Sequence, residues 1–176
     1  MTHPPPASRL SPRWTVLAFL LVATIGCDRV TKHVATTNLA DARDASFFAD
    51  TVRLEYVENT GGFLSVGSNW SPGVRIGLFT VVTGFMLLVL TGFALRPAQR
   101  LSRSIGLTVL VAGGASNWID RVVNGSVVDF LNVGVGPIRT GIFNVADVAI
   151  MVGVAILMFV ELRPPAHEPP VGVAPQ

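Results

Sequence analysis

A chain of 176 residues has room for one domain, and half of this one is hydrophobic while only 14% is charged. Soluble domains carry about 25% charged residues, so with a mean hydropathy of +0.56 the composition is that of a membrane protein. A net charge of +2, three histidines and one cysteine exclude a basic nucleic-acid binder, an internal disulfide and a Cys/His zinc set.

Residues 1–13 form a Pro-rich leader, expected to be disordered and cytoplasmic, with Arg9 and Arg13 ahead of the first apolar run. The run from Trp14 continues helically through DRVTKHVA to about residue 35. That is roughly 20 residues, enough to cross a hydrocarbon core. Ile25-Gly26-Cys27 also reads as a lipoprotein signal peptide ending at a lipidated cysteine. Thr24, where an aliphatic residue is usual, and the long apolar segments downstream oppose that reading. Thr24, Asp28 and Lys32 make a polar stripe at four-residue spacing, whose plain reading is an exposed Asp–Lys pair with Lys32 snorkelling. Cys27 and His33 read as incidental.

Residues 37–73 leave the membrane. TVRLEYV alternates like a strand and runs into the turn sequence Asn-Thr-Gly-Gly. The segment reads as a small sheet resting on the membrane, with Phe47, Phe48, Phe63 and Trp70 as interfacial anchors. A second span, 74–95, is apolar apart from Arg75 at its entrance and scattered threonines. The connection to the next span holds Arg96, Arg100 and Arg103 with no acid, which places it in the cytoplasm, in agreement with Arg9, Arg13 and Arg163.

The third span, 104–124, ends in a polar face: Asn117, Asp120, Arg121 and Asn124 stand at i, i+3, i+4 and i+7. Residues 125–141 leave the bilayer, strand-like and then turn-rich, before a fourth span, 142–162, and a disordered cytoplasmic tail, 163–176. The expected fold is therefore an α-helical integral membrane protein with four transmembrane helices and a small extracytoplasmic β-sheet. Both termini face the cytoplasm, and residues 14–162 form one membrane domain. Asp28, Asp120, Asp129 and Asp147 then gather near the outer face.

Ionisable side chains in such a place are functional candidates by default. Asp147 is the hardest to explain otherwise. It falls about five residues into the fourth span, so roughly 7 Å down its axis, with Asn144 as its local polar neighbour. A carboxylate buried there costs several kcal/mol unless paired or protonated. A second carboxylate sharing one proton relieves that cost and can activate a water. The residues alone leave two partners open. Asp120, beside Arg121 on a helix, suits an orienting ion pair; Asp129, opposite the start of the fourth span, suits chemistry. A small proton-coupled transporter and a non-catalytic membrane scaffold are the alternatives to an enzyme.

DRVTK from Asp28, ENTGGF from Glu58, GGASNWIDR from Gly113, GSVVDF from Gly125 and FNVAD from Phe143 follow one another at the helix ends. In that order they resemble the lipoprotein signal peptidases, the signal peptidase II family, from about residue 14 to 162. The resemblance implies a metal-free aspartyl endopeptidase without cofactor. It would cut diacylglyceryl-modified prolipoproteins just before the lipidated cysteine, in the bacterial inner membrane. It assigns catalysis to Asp129 and Asp147, and substrate contact or support to Asp28, Lys32, Asn59, Gly61, Asn117, Asp120, Arg121 and Asn144. Segment 37–73 becomes a candidate clamp over the site. Its partners are those precursors and membrane lipid; oligomeric state is left open. Two departures stand out: Arg29 where the family most often has Gln, and Asn-Thr-Gly-Gly-Phe where Asn-x-Gly-Ala-Phe is commoner.

Overall fold

Four helices and one small sheet account for residues 11–41 and 44–162, the part of the chain that a computed structural model describes. Residues 1–10, 42–43 and the tail from Arg163 lie outside the described residues. In chain order the elements are α1 (Pro12–Leu39), β1 (Ala45–Phe47), β2 (Val52–Asn59), α2 (Pro72–Ala94), α3 (Leu101–Asn124), β3 (Val127–Val135), β4 (Ile138–Arg139) and α4 (Val145–Leu162). Proline opens both α1 and α2, where its missing N–H and fixed φ suit the first helical turn.

Helices α1, α2 and α4 are each long and apolar enough to cross a membrane. Helix α3 is long enough but more polar, and its place in the bundle explains why: it packs against all three others. Its small and polar side chains, among them Ser104, Gly106, Ala112, Ser116, Asn117 and Asp120, are buried. The big apolar side chains point the other way. Phe19, Val22, Phe85 and Leu88 are each about seven-tenths exposed, as suits helices whose outer face meets lipid rather than water. Between helices in lipid there is little hydrophobic drive, so close packing of small residues takes over. A Cβ on Gly113 of α3 would stand 2.5 Å from the carbonyl oxygen of Ala146 in α4.

The strands lie in the order β1-β2-β3-β4, all antiparallel. Two irregularities position the site. Opposite Phe130, β2 carries one residue more than β3, since Leu54 pairs with Leu131 but Val57 with Asp129; such a bulge twists the ladder locally. Just there β3 takes a second partner. Leu131 and Phe143 exchange backbone hydrogen bonds of 2.8 and 2.9 Å, which pins the entry to α4 against β3.

Helix α1 passes through Cys27 without interruption. Helix α4 begins at Val145, three residues later than expected, so Asp147 lies in its first turn rather than deep inside it.

Candidate active site

Asn144 and Asp147 form a reciprocal cap at the start of α4. The Asn144 Oδ1 accepts the Asp147 N–H at 2.9 Å, and Asp147 Oδ2 accepts the Asn144 N–H at 3.2 Å. These are two of the helix's otherwise unpaired amide groups, satisfied by residues three apart as in a capping box. A third comes from another helix: Asp28 Oδ1 on α1 accepts the Ala146 N–H at 2.8 Å. Two carboxylates therefore meet the positive end of α4.

Asp129 arrives from the other side. It sits on β3 next to the bulge, 2% exposed. Its Oδ1 accepts the Asn144 amide at 2.6 Å, and its Oδ2 the Asn59 amide at 2.9 Å. The free oxygen of Asp147, Oδ1, accepts the Asn117 amide at 2.9 Å. One asparagine, Asn144, thus touches both carboxylates. Burial is the main cause that pushes the Asp129 pKa up to about 6, with the nearby Asp147 charge adding to it and the Asn59 and Asn144 amides opposing it.

Each amide is aimed by a donor on its own oxygen. Asn59 Oδ1 accepts the Gly61 N–H at 2.8 Å. Asn144 Oδ1 is held by Asp147, as above. Asn117 Oδ1 accepts from the Lys32 ammonium at 2.7 Å. With their oxygens occupied by donors, the three NH₂ groups can only point at the carboxylates. Lys32 also meets Asp28 Oδ2 and Asp120 Oδ2, both at 2.7 Å.

The Asp28–Lys32 pair expected on the surface is therefore buried: Asp28 is 0% and Lys32 5% exposed. Asp120 is ion-paired, but not to its neighbour Arg121. Its partners are Lys32 and Arg29, the latter at 2.5 Å. Arg121 turns instead to the Gly61 carbonyl, at 2.6 Å from Nη2. The reason is helical: Asp120 faces α1, while Arg121, 100° further round, faces the turn after β2. Gly61 must be glycine, because a Cβ would lie 2.5 Å from the Val66 oxygen.

All ten residues singled out in the sequence belong to this one network. The sequence reading missed Ser116, whose hydroxyl donates to Asp28 Oδ2 at 2.6 Å, and the structural use of Arg29, which also bonds the Ser116 carbonyl. Ser116 precedes Asn117 in GGASN, so it faces α1 when Asn117 faces α4; that register was the available signal. Among the described residues no three His, Cys, Asp or Glu side chains gather to hold a metal ion.

A groove of about 410 Å³ leads to Asp147. Phe79 and Thr83 of α2, Gly114 and Asn117 of α3, and Ile150 and Met151 of α4 line it, with Phe63 at its upper end. It therefore runs between membrane helices toward the acid pair.

Residues 20–163 match the family described as signal peptidase (SPase) II. The chain belongs to the signal peptidase II family. A lipoprotein signal peptidase of Azoarcus sp. (strain BH72) is 32% identical over 90% of this chain and 88% of its own length. That of Desulforapulum autotrophicum is 33% identical over 79% and 88%. A bacterial membrane enzyme solved by the in meso method superposes with a TM-score of 0.74 at 25% identity, covering 85% of this chain and 94% of that one. The chain is accordingly a peptidase of that family, carried on membrane-spanning helices with a small antiparallel sheet.

Proposed function

We propose that this peptidase cleaves diacylglyceryl-modified prolipoproteins with Asp129 and Asp147 acting as a pair on one water. The observation that carries the reading is the single amide of Asn144 bonded to Asp129 while its own carbonyl and N–H cap Asp147. Two carboxylates bonded to one asparagine in a buried site would not easily both be charged, and one shared proton would resolve the conflict. One aspartate then takes a proton from water as its oxygen attacks the scissile carbonyl carbon. The other, protonated, hands its proton to the carbonyl oxygen. Collapse of the resulting tetrahedral diol breaks the C–N bond, and the departing amine takes up a proton.

The remaining residues position these groups. Asn59, Asn117 and Asn144 fix the carboxylate oxygens, Lys32 fixes Asn117, and Arg121 holds the turn at Gly61. A substrate tethered by two acyl chains stays in the bilayer surface and would reach the acids sideways through the groove between α2 and α4. The turn after β2, whose Gly62 and Phe63 line that groove, would act as a clamp over it. The arginine-rich α2–α3 connection favours an orientation with that loop in the cytoplasm and the acid pair at the opposite, extracytoplasmic face.

The test is processing of a diacylated precursor by purified protein, read by gel shift beside an unlipidated control. Asp129→Asn and Asp147→Asn should each lower turnover by about 10²–10⁴-fold, the usual worth of a proton-transfer group, with the protein still folded in membranes. Ordinary turnover by Asp129→Asn would sink the pair.

A further inference from the structure

At the end of the bundle away from the acid pair, the loop between α2 and α3 is locked in place. The Arg13 guanidinium on α1 donates to the carbonyls of Arg96, Pro97 and Gln99 at 2.7–3.0 Å and to Ser104 Oγ at 2.7 Å. The Gln99 amide donates back to the Phe93 and Ala94 carbonyls at the end of α2. A polar loop so fully tied presents its other side chains from a rigid base. Those side chains are Arg96, Arg100 and Arg103.

Three guanidiniums there face one acid. Arg103 pairs with Glu161 at 3.0 Å, and among the described residues no carboxylate pairs with Arg96 or Arg100. Arg96 lies over the Phe93 ring at 4.3 Å. Two concave faces meet at this point. One, about 590 Å³, runs along α4 past Ala155, Ile156 and Phe159; the other, about 930 Å³, lies between α2 and α4 and is lined by Leu90, Phe93, Leu107 and Leu157 together with the polar Arg96, Gln99, Arg103 and Glu161. Arg100 and Val160 border both.

We propose that these paired grooves hold the two acyl chains of an anionic phospholipid, with its phosphate on Arg100 and flanked by Arg96 and Arg103, in the leaflet opposite the acid pair. Guanidinium suits phosphate because its planar donors match two oxygens at once, and basic sites beside membrane helices select charged headgroups. Two grooves parting from a single cation fit a diacyl lipid; a soluble phosphate would use the cations and leave the apolar walls empty.

The purified protein in detergent is titrated with phosphatidylglycerol, phosphatidylcholine, lysophosphatidylglycerol and glycerol phosphate, and bound lipid is counted by native mass spectrometry. Phosphatidylglycerol should be retained best. Arg100→Gln should reduce its preference over phosphatidylcholine roughly fivefold, the worth of one charge near a membrane surface. Ala155→Trp keeps every charge, and so the insertion signals, yet fills one groove; it should weaken diacyl binding toward that of the lysolipid. Unchanged phosphatidylglycerol retention in both variants, or equal competition by glycerol phosphate, would overturn the site. Precursor cleavage in detergent should be the same in both variants, so a failure here leaves the peptidase reading intact.

Discussion

Asn144 bonds two carboxylates that come from different elements, and Lys32 bonds two more while steering the amide of Asn117. The second of these makes a sharp expectation. Lys32→Met should destabilise the protein by about 3–5 kcal/mol, because it strands Asp28 without a counter-charge in a buried site and leaves Asp120 with Arg29 alone; thermal unfolding in detergent measures it. Asp129 offers a pH test. Its carboxyl titrates near 6 in the folded protein against an ordinary 3.8, so the folded state holds the proton more tightly than the unfolded one. Stability from this group is greatest below pH 4, declines as pH rises to about 6, and is level above. Asp129→Asn should remove that decline, worth roughly 3 kcal/mol, when unfolding midpoints of the two proteins are compared across pH. The identities of the acids were legible in the sequence because charge is conspicuous in apolar surroundings. Their pairings were not: Asp120 stands next to Arg121 in the chain yet bonds across to α1, and neighbours along a helix point 100° apart.

At the scale of elements, three of the four helices could be read from hydrophobic run length, and α3 ended at Asn124 as its polar face suggested. The start of α4 was misplaced by three residues because apolar Ile142 and Phe143 look helical, while the backbone exchange between Phe143 and Leu131 makes that stretch a strand partner. The bulge in β2 left no mark in the amino-acid pattern, since it depends on which residues lie across the ladder. The tightest joint between elements is α3 against α4. Gly113→Ala would drive a methyl group to 2.5 Å from the Ala146 oxygen, one residue from Asp147. It should cost about 1–3 kcal/mol in stability and reduce turnover as well, whereas Gly92→Ala on α2, with nothing within 4 Å, should do neither.

For the whole molecule, the arrangement is a polar helix sheathed by three apolar ones, with the acid pair at one end and the arginine-rich α2–α3 loop at the other. The arginine-rich loop predicts an orientation with that end in the cytoplasm, and labelling tests it. In a Cys27→Ser background, Ile138→Cys in β4 should react with an impermeant thiol reagent added to intact cells, and Ala98→Cys in the α2–α3 loop should react only after lysis. The reverse pattern would put the acid pair on the wrong side. The cap at the head of α4 has one more consequence, which concerns drug escape. An inhibitor that grips Asn144 and Asp147 holds the groups that also start the helix and align it with β3. A bacterium that altered Asp147 would give up the chemistry, and one that altered Asn144 would loosen both the cap and the hold on Asp129, so resistance should arise instead in the groove walls, at Phe79, Ile150 or Met151.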